Sequence, residues 1–189
     1  MGLINIHAKP DVYLRSFNNI LWSIAGSWLL KGWKQIGKEN VDTVDDTMLS
    51  EILRIQAEGF EYGRQGEILK YSKKFRKIFY VIKSQDRIIG YCIYYLRPDF
   101  SVTGLEKRSV IYSIAIDREF RNRGFGRKLL EESIKEMKMN SVSAICLYVN
   151  INNLPAIKLY EKIGFSIIKE IKDICGQKER CYKMELKLA

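Results

Sequence analysis

Histidine is scarce in this sequence: His7, close to the start, is the only one among 189 residues. A Ser-His-Asp triad and a histidine-rich metal site each need imidazole groups inside the folded part of the chain. A lone histidine near the N-terminus therefore argues against both kinds of site, and we expect no metal.

Cysteine is also sparse. None of the four cysteines, Cys92, Cys146, Cys175 and Cys181, belongs to a Cys-x-x-Cys pair, and no secretory signal is recognisable. We therefore expect no disulfide framework. Cys92 and Cys146 lie within apolar, strand-like runs, so we expect buried thiols in a reducing compartment and a cytoplasmic protein.

Apolar runs are too short to cross a bilayer, which takes about 20 residues. One nearly uncharged segment, residues 19–30, carries Trp22 and Trp28, two of the three tryptophans. It could lie in a membrane interface, but we favour a helix docked on the domain or on a second subunit, as in a homodimer. We therefore divide the chain into an N-terminal helical extension, 1–40, and one main domain, 41–189.

Charge is unbalanced, with a formal net value of +10. Such an excess favours an anionic partner: nucleic acid, a membrane surface or a phosphorylated cofactor. The lysines are spread along the chain, so a solvated basic surface explains most of it. The basic and aromatic stretch 71–80 would suit nucleic acid, but a solvated helix running into a buried strand is the favoured interpretation.

Apolar periodicity beyond residue 41 predicts alternating helices and strands. Helices are predicted at 45–59, 67–77, 126–139 and 155–163, and strands at 78–83, 87–96, 109–116, 142–149, 166–171 and 181–188. Pro98 and Gly104 are predicted to bracket a loop, and Gly164 to end the last helix. With 47% apolar and 29% charged residues, the composition is that of a globular domain.

The loop Arg121-Asn122-Arg123-Gly124-Phe125-Gly126 joins a predicted strand to a helix. Its glycines let the backbone approach a ligand closely. Unpaired amides of the loop and first helical turn, together with the helix dipole, form an anion site. Arg121, Arg123 and Arg127 add positive charge, so a pyrophosphate fits. By itself this pattern also describes a plain strand-to-helix turn; it is not a Walker A loop, and Leu129 stands where a dinucleotide fingerprint needs its third glycine.

Two blocks together resemble a known family. Arg121-x-x-Gly124-x-Gly126, after Ile114-Ala115-Ile116-Asp117, resembles the acetyl-CoA signature of the GNAT superfamily. Leu147-Tyr148-Val149-Asn150, then Asn153-x-x-Ala156-x-x-Leu159-Tyr160-Glu161-x-x-Gly164-Phe165, resembles the protein N-terminal acetyltransferases that modify ribosomal proteins and other chain starts. The resemblance covers roughly residues 41–188.

The resemblance implies an α/β (α+β) fold, with a mixed, twisted sheet flanked by helices. Strands 109–117 and 142–149 would splay apart and admit the pantetheine arm of acetyl-CoA. Main-chain groups of the first strand would bind that arm, the loop amides would hold the pyrophosphate, and Asn153 would contact the cofactor or cap its helix. The cofactor-binding residues so implied are Ile114, Ala115, Ile116, Arg121, Asn122, Arg123, Gly124, Phe125, Gly126, Arg127, Asn153 and Tyr160.

Tyr160 is the catalytic residue that the resemblance implies. A tyrosine, with a pKa of about 10, stays protonated at neutral pH and can give its proton to a departing thiolate. The alternative is a core aromatic residue. The general base is open, because Tyr148 stands where related enzymes often have glutamate; a relayed water, Glu119 or Asp117 could replace it, and Tyr148 could line the acceptor pocket.

The expected function is acetyl-CoA-dependent transfer to a primary amine of a protein or peptide, at its N-terminus or a lysine. The alternatives are a small-molecule, polyamine-like acceptor and a CoA-binding module without turnover. A polyamine would need acidic residues, which the loop 58–62 could supply through Glu58 and Glu61. A peptide would need an open groove, formed there with the segment 172–183.

Overall fold

Helices and strands alternate along the chain in the computed structural model, which describes residues 25–59, 65–101, 104–176 and 178–188. The main elements are β1 (Val41–Thr43), α1 (Leu49–Gly59), α2 (Gln65–Lys74), β2 (Phe79–Ser84), β3 (Arg87–Ser101), β4 (Gly104–Ile116), α3 (Phe125–Met139), β5 (Val142–Asn150), α4 (Leu154–Ile163), β6 (Ser166–Lys172) and β7 (Arg180–Lys187).

These strands form one mixed sheet in the order β1-β2-β3-β4-β5-β7-β6. The β4–β5 pair is parallel, and the neighbouring pairs on both sides of it are antiparallel. The connection between β4 and β5 passes through α3, as a parallel connection requires. The predicted α/β architecture is confirmed.

Helices cover both faces of the sheet because each has an apolar stripe. On one face, Ile52 and Ile55 of α1 pack with Phe79 and Tyr91 of the first strands. On the other face, Leu129 and the rest of the buried stripe of α3 pack with α4 and the inward residues of β5. The sheet is therefore covered by an apolar cluster on each face.

The described part of the N-terminal segment packs on the second of these faces. Residues 25–29 are helical, and Leu29, Leu30 and Trp33 are buried in the same cluster as α3. Trp28, in contrast, is 59% exposed. Residues 1–24, including His7 and Trp22, lie outside the described residues, and within the described part no helix is long and apolar enough to cross a membrane.

The predicted loop between Pro98 and Gly104 is wrong. Both residues lie in strands, since β3 and β4 continue their antiparallel ladder through the pair Pro98 and Lys107. Proline is tolerated where a strand has an edge without a neighbour. Strand β2 ends its pairing at Phe79 opposite Ile93, so among the described strands this part of β3 has a neighbour on one side only.

The cysteines separate into two kinds. Cys92 and Cys146 are buried free thiols, as predicted. Cys175 and Cys181 form a disulfide, which the spacing did not predict. The turn between β6 and β7 reverses the chain and brings their Cα atoms within 6.2 Å, a distance that a disulfide can span.

The basic and aromatic stretch 71–80 does not form a nucleic-acid surface. Phe75, Phe79 and Tyr80 are at most 3% exposed and belong to the core. Stacking with bases needs accessible ring faces. The favoured interpretation, a basic helix that runs into a buried strand, is confirmed.

Candidate functional site

Strands β4 and β5 pair over a short distance and then separate. Their ladder runs from the pair Lys107 and Val142 to the pair Val110 and Cys146, and includes no later residue of either strand. A register shift in the β3–β4 ladder leaves Tyr112 as an extra residue on β4. Such a bulge bends its strand, and the two strands splay as the resemblance implied.

The C-terminal half of β4 has an open edge facing β5. The amide of Asp117 donates to the carbonyl of Ile89 at 2.8 Å, so odd-numbered residues here point their main-chain groups toward β3. By alternation, the main-chain groups of Ile114 and Ile116 point toward the gap. An extended ligand with amide groups could therefore add to this edge as a further strand does.

The gap between the strands is a cleft of about 540 Å³. Its described lining comprises Glu67 of α2, Tyr95 of β3, Val110 to Ile114 of β4, Leu147 to Asn150 of β5, Asn153, Tyr160 of α4, Ile174 and Cys175. The cleft thus runs from the side of α4 to the side of α2, where Glu67 and Ile174 lie.

The loop after β4 has the conformation expected of an anion site. Asn122 and Gly124 have positive φ angles, of 60° and 84°. Gly124 is the N-cap of α3 and contributes no side-chain cap. The amide of Lys128 makes the first helical bond, to the carbonyl of Gly124 at 3.0 Å. The amides of Phe125 and the next two residues precede it and have no intrahelical acceptor, so they are available to an anion.

The two loop glycines serve different needs. A Cβ on Gly124 would meet nothing within 4 Å, so the requirement there is the left-handed backbone rather than space. A Cβ on Gly126 would stand 3.4 Å from Leu159 and 3.6 Å from Ile116. The start of α3 therefore packs closely against Leu159 of α4 and Ile116 at the end of β4.

The loop arginines are held in different ways. Arg121 donates from Nε to the carbonyl of Ile116 at 2.9 Å, and Arg123 stacks over the ring of Phe120 at 5.6 Å. Neither forms an ion pair with a described carboxylate. Arg127 instead pairs with Glu131 on the next turn of α3, at 2.7 Å. Uncompensated positive charge at the loop therefore comes from Arg121 and Arg123.

Tyr160 is both a packed aromatic residue and a wall of the cleft. It is 6% exposed, and its ring meets Phe165 edge to face at 5.8 Å. Its hydroxyl has no hydrogen-bond partner among the described residues. Burial raises the pKa of the Tyr160 phenol above its usual value, and nearby Cys92 adds to this effect. The proton therefore stays on the oxygen at neutral pH.

Asn153 caps its helix, as one of its two predicted roles required, and it also lies at the cleft. Its side-chain oxygen accepts from the amide of Ala156 at 3.3 Å and so caps α4. It also lines the cleft. The left-handed Gly164 ends the same helix, as predicted, so both ends of α4 are fixed next to the cleft.

Asp117 is a structural carboxylate. It caps a 3₁₀ helix, Arg118–Phe120, by accepting from the amide of Glu119 at 3.0 Å. It also accepts from Arg54 at 2.6 Å and from Arg87 at 3.0 Å. Burial alone would raise the pKa of this carboxyl, but the hydrogen bonds and guanidinium charges outweigh it and hold the pKa below its usual value.

Asp117 and Glu119 do not line the cleft between β4 and β5. They line a different pocket, which contains Arg54, Glu58 and Arg87 as well. Glu119 pairs there with Arg87 at 3.1 Å. The alternative that either carboxylate replaces the missing glutamate as base is therefore wrong in this arrangement. Glu58 lies in the same pocket, and Glu61 is outside the described residues.

Glu67 is the acidic side chain that the sequence reasoning missed. It is half-buried in the first turn of α2 and is the only carboxylate of the described cleft lining. It forms no ion pair with another described residue. Tyr148, which stands where related enzymes often have a glutamate, lines the cleft as well.

Residues 46–165 match the sequence model of the Acetyltransferase (GNAT) family. The chain belongs to this family. The match includes the anion loop, the splayed strands and the α4 block, so the predicted family and the acetyltransferase activity are confirmed, and the enzyme is an N-acetyltransferase.

Relatives and solved structures agree with this placement. The GNAT chain is 31% identical to an N-alpha-acetyltransferase of Saccharolobus solfataricus over 121 residues, 61% of this chain and 72% of that protein. It is 31% identical to a ribosomal protein bS18-alanine N-acetyltransferase of Salmonella typhimurium over 105 residues, 56% of this chain and 60% of that protein. It shares its fold with Chaetomium thermophilum Naa20 in complex with a bisubstrate analogue, at a TM-score of 0.68 and 24% identity, over 79% of this chain and 87% of that one.

Proposed function

We propose that this acetyltransferase moves the acetyl group of acetyl-CoA to the free α-amine of a protein or peptide. The observation that carries the proposal is the cleft itself. An open strand edge and a carboxylate line the same cleft, and the strand that provides this edge leads into the loop with the unpaired amides. The names of the relatives, which act on chain starts, support the same acceptor.

The cofactor side fits a pantetheine diphosphate. The main-chain groups of Ile114 and the amide of Ile116 suit the amides of a pantetheine arm, whereas the carbonyl of Ile116 already accepts from Arg121. The first amides of α3, with Arg121 and Arg123, suit a diphosphate. Asn153 lines the cleft. When bound, acetyl-CoA supplies an acetyl group activated as a thioester.

Tyr160 is the proposed general acid. Its hydroxyl keeps its proton at neutral pH because burial raises its pKa. It would deliver this proton to the sulfur that leaves the acetyl carbon, and would recover a proton from solvent afterwards. Such a transfer contributes about 10²- to 10⁴-fold to a rate.

Glu67 is the group proposed to bind the incoming amine and to accept its proton. An α-ammonium must lose a proton before its nitrogen can attack. The carboxylate of Glu67 can hold the ammonium and accept that proton, directly or through a water. Tyr148 lines the same cleft.

The geometry of the acceptor side favours a peptide over a polyamine. The cleft opens between α2, with Glu67, and the β6–β7 turn, with Ile174 and Cys175. An apolar side chain and one carboxylate suit a single ammonium on an extended chain. A polyamine, with several charges, would need further acids, and Glu58 points to the separate pocket.

The test is release of CoA from acetyl-CoA with three sets of amines. These are peptides with a free α-amine, N-terminally blocked peptides that contain lysine, and spermidine. We expect turnover with the first set. Faster turnover with blocked lysine peptides or spermidine would reject the acceptor, and tight CoA binding without turnover on any amine would leave a CoA-binding module.

A further inference from the structure

A second pocket adjoins the cleft beside Tyr148. It has a volume of about 240 Å³ and is lined by Arg97, Pro98, Asp99, Arg108, Val110, Cys146, Tyr148 and Lys183. Val110 and Tyr148 line the cleft as well, so the two spaces share a wall. Because Leu147 and Val149 pack into the core with α3 and α4, alternation along β5 turns Tyr148 toward the other face.

The cations of this pocket are not equivalent. The charge of Arg108 is already compensated, because its guanidinium pairs with Asp99 at 2.9 Å and also with Glu185. Arg97 hydrogen-bonds the phenol of Tyr95. Lys183, half-buried on β7 directly opposite Tyr148, has no ion pair or hydrogen bond within the described part of the chain.

The neutral groups around Lys183 do not compensate its charge. Burial raises the pKa of the Cys146 thiol, and its hydrogen bond to Glu185 adds to this, so it stays uncharged at neutral pH. The pocket is therefore a half-enclosed space in which an uncompensated ammonium faces the passage to the reacting amine. A carboxylate is the group that such a position attracts most strongly.

We infer that this pocket selects an acidic side chain at the second residue of the acceptor peptide. The inference rests on the proposed function, because the α-amine must lie between Glu67 and Tyr160. In an extended peptide, successive side chains point to opposite sides and successive residues are about 3.4 Å apart. The residue after the acetylated one therefore reaches past Tyr148 to Lys183.

The test compares peptides that differ only at the second residue, which is Asp, Asn or Lys. Each is assayed for kcat/KM with the full chain, and for affinity by calorimetry in the presence of CoA. We expect about a tenfold preference for Asp over Asn, with Lys weakest, carried by KM and reduced by salt. Equal values for Asp and Asn in the calorimetric comparison would overturn the inference even if no peptide were acetylated.

Two variants locate the preference. Lys183→Gln should bring the Asp and Asn peptides within about twofold of each other, and Lys183→Glu should reverse the order to favour Lys. Lys187→Gln, on the same strand but exposed, should leave the preference unchanged. An Asp preference that survives Lys183→Gln would overturn the assignment, whereas turnover of all three peptides at one rate would reject only the pocket and keep the proposed function.

Discussion

The carboxylate of Glu136 accepts a hydrogen bond from the indole of Trp33 at 2.8 Å, across 103 residues of sequence. The same carboxylate, fully buried in α3, accepts from the phenol of Tyr80 at 2.8 Å and pairs with Lys38. Asn140, one turn later, holds the main chain of Lys34. The segment 33–38 is thus fastened to α3, the helix whose first turn we propose as the anion site.

Glu136→Gln should destabilise the whole domain. The amide keeps the shape but leaves the ammonium of Lys38 buried without its counter-charge and cannot accept all of its present donors. Breaking a buried pair in this way costs about 3 to 5 kcal/mol. Urea unfolding followed by tryptophan fluorescence measures it. Glu131→Gln, which breaks an exposed pair with Arg127 on the same helix, should cost less than about 1 kcal/mol; equal costs would contradict the fastening role.

Asp117→Asn should lower stability and spare catalysis. The carboxylate is 1% exposed and holds Arg54 and Arg87, so losing its charge should cost about 2 to 3 kcal/mol. Its pKa is lower in the folded state than in the unfolded one. This stabilisation is therefore complete above a pH of about 4 and disappears as the pH falls through the folded pKa.

The measurement for Asp117 is unfolding free energy from pH 2 to pH 7, with kcat determined alongside. The variant should show a flatter acid limb than the native chain, and its kcat should stay within about twofold. A large fall in kcat with unchanged stability would instead make Asp117 the base and contradict the assignment to Glu67.

Gly124→Ala should damage cofactor binding more than the fold. Its φ of 84° costs an alanine about 1 to 2 kcal/mol, and the loop can relieve that strain only by turning its amides away from the anion site. CoA affinity, measured by calorimetry, should fall several-fold. In the control Gly126→Ala, a methyl group would make ordinary contacts with Leu159 and Ile116. This variant should change stability by less than about 1 kcal/mol and leave CoA affinity nearly unchanged. A larger loss of CoA affinity in Gly126→Ala than in Gly124→Ala would contradict the roles of the two glycines.

Local patterns predicted the elements that depend on nearby residues. The stripe from Leu129 to Met137 marks α3, and Gly164 marks the end of α4, because spacing and backbone conformation are properties of a short segment. The extension of β3 through Pro98 was missed, since it depends on where another strand ends. The Cys175–Cys181 disulfide was missed for a similar reason, because it depends on the β6–β7 turn.

The residues of the candidate site also differ in whether a local pattern could predict them. The loop 121–126 and Asn153 carry spacing that is visible in sequence, and they form the helix start and the helix cap that this spacing predicts. Glu67 carries no such signal: it reaches the cleft only because α2 packs across β4, through contacts such as the stacking of Tyr71 on Tyr112 at 4.3 Å. Asp117 is the opposite case. Its position in sequence, next to the loop, suggested a role as the base, but its side chain pairs with Arg54 in the separate pocket.

Glu67→Gln should slow the reaction through its acceptor side. Losing the carboxylate removes both the attraction for the α-ammonium and the proton acceptor, so kcat/KM for peptides should fall about 10- to 100-fold. CoA affinity should not change. Glu58→Gln, outside the cleft, is the matched control and should behave as the native enzyme; a similar loss in both variants would reject Glu67 as the acceptor carboxylate.

Tyr160→Phe should separate chemistry from stability. The hydroxyl has no hydrogen-bond partner among the described residues, so its removal should change the unfolding free energy by less than about 1 kcal/mol, while kcat with saturating peptide and acetyl-CoA should fall about 10²-fold or more. Tyr94→Phe is the converse control, because that buried phenol bonds Ser133 at 2.7 Å and is not part of the described cleft lining. Its stability should fall by about 1 kcal/mol, and its kcat should not change. Since the pKa of Tyr160 is raised, the native enzyme should keep its kcat up to the usual tyrosine pKa of about 10. An unchanged kcat in Tyr160→Phe, with chemistry limiting, would remove it as the proton donor and leave it as a wall of the cleft.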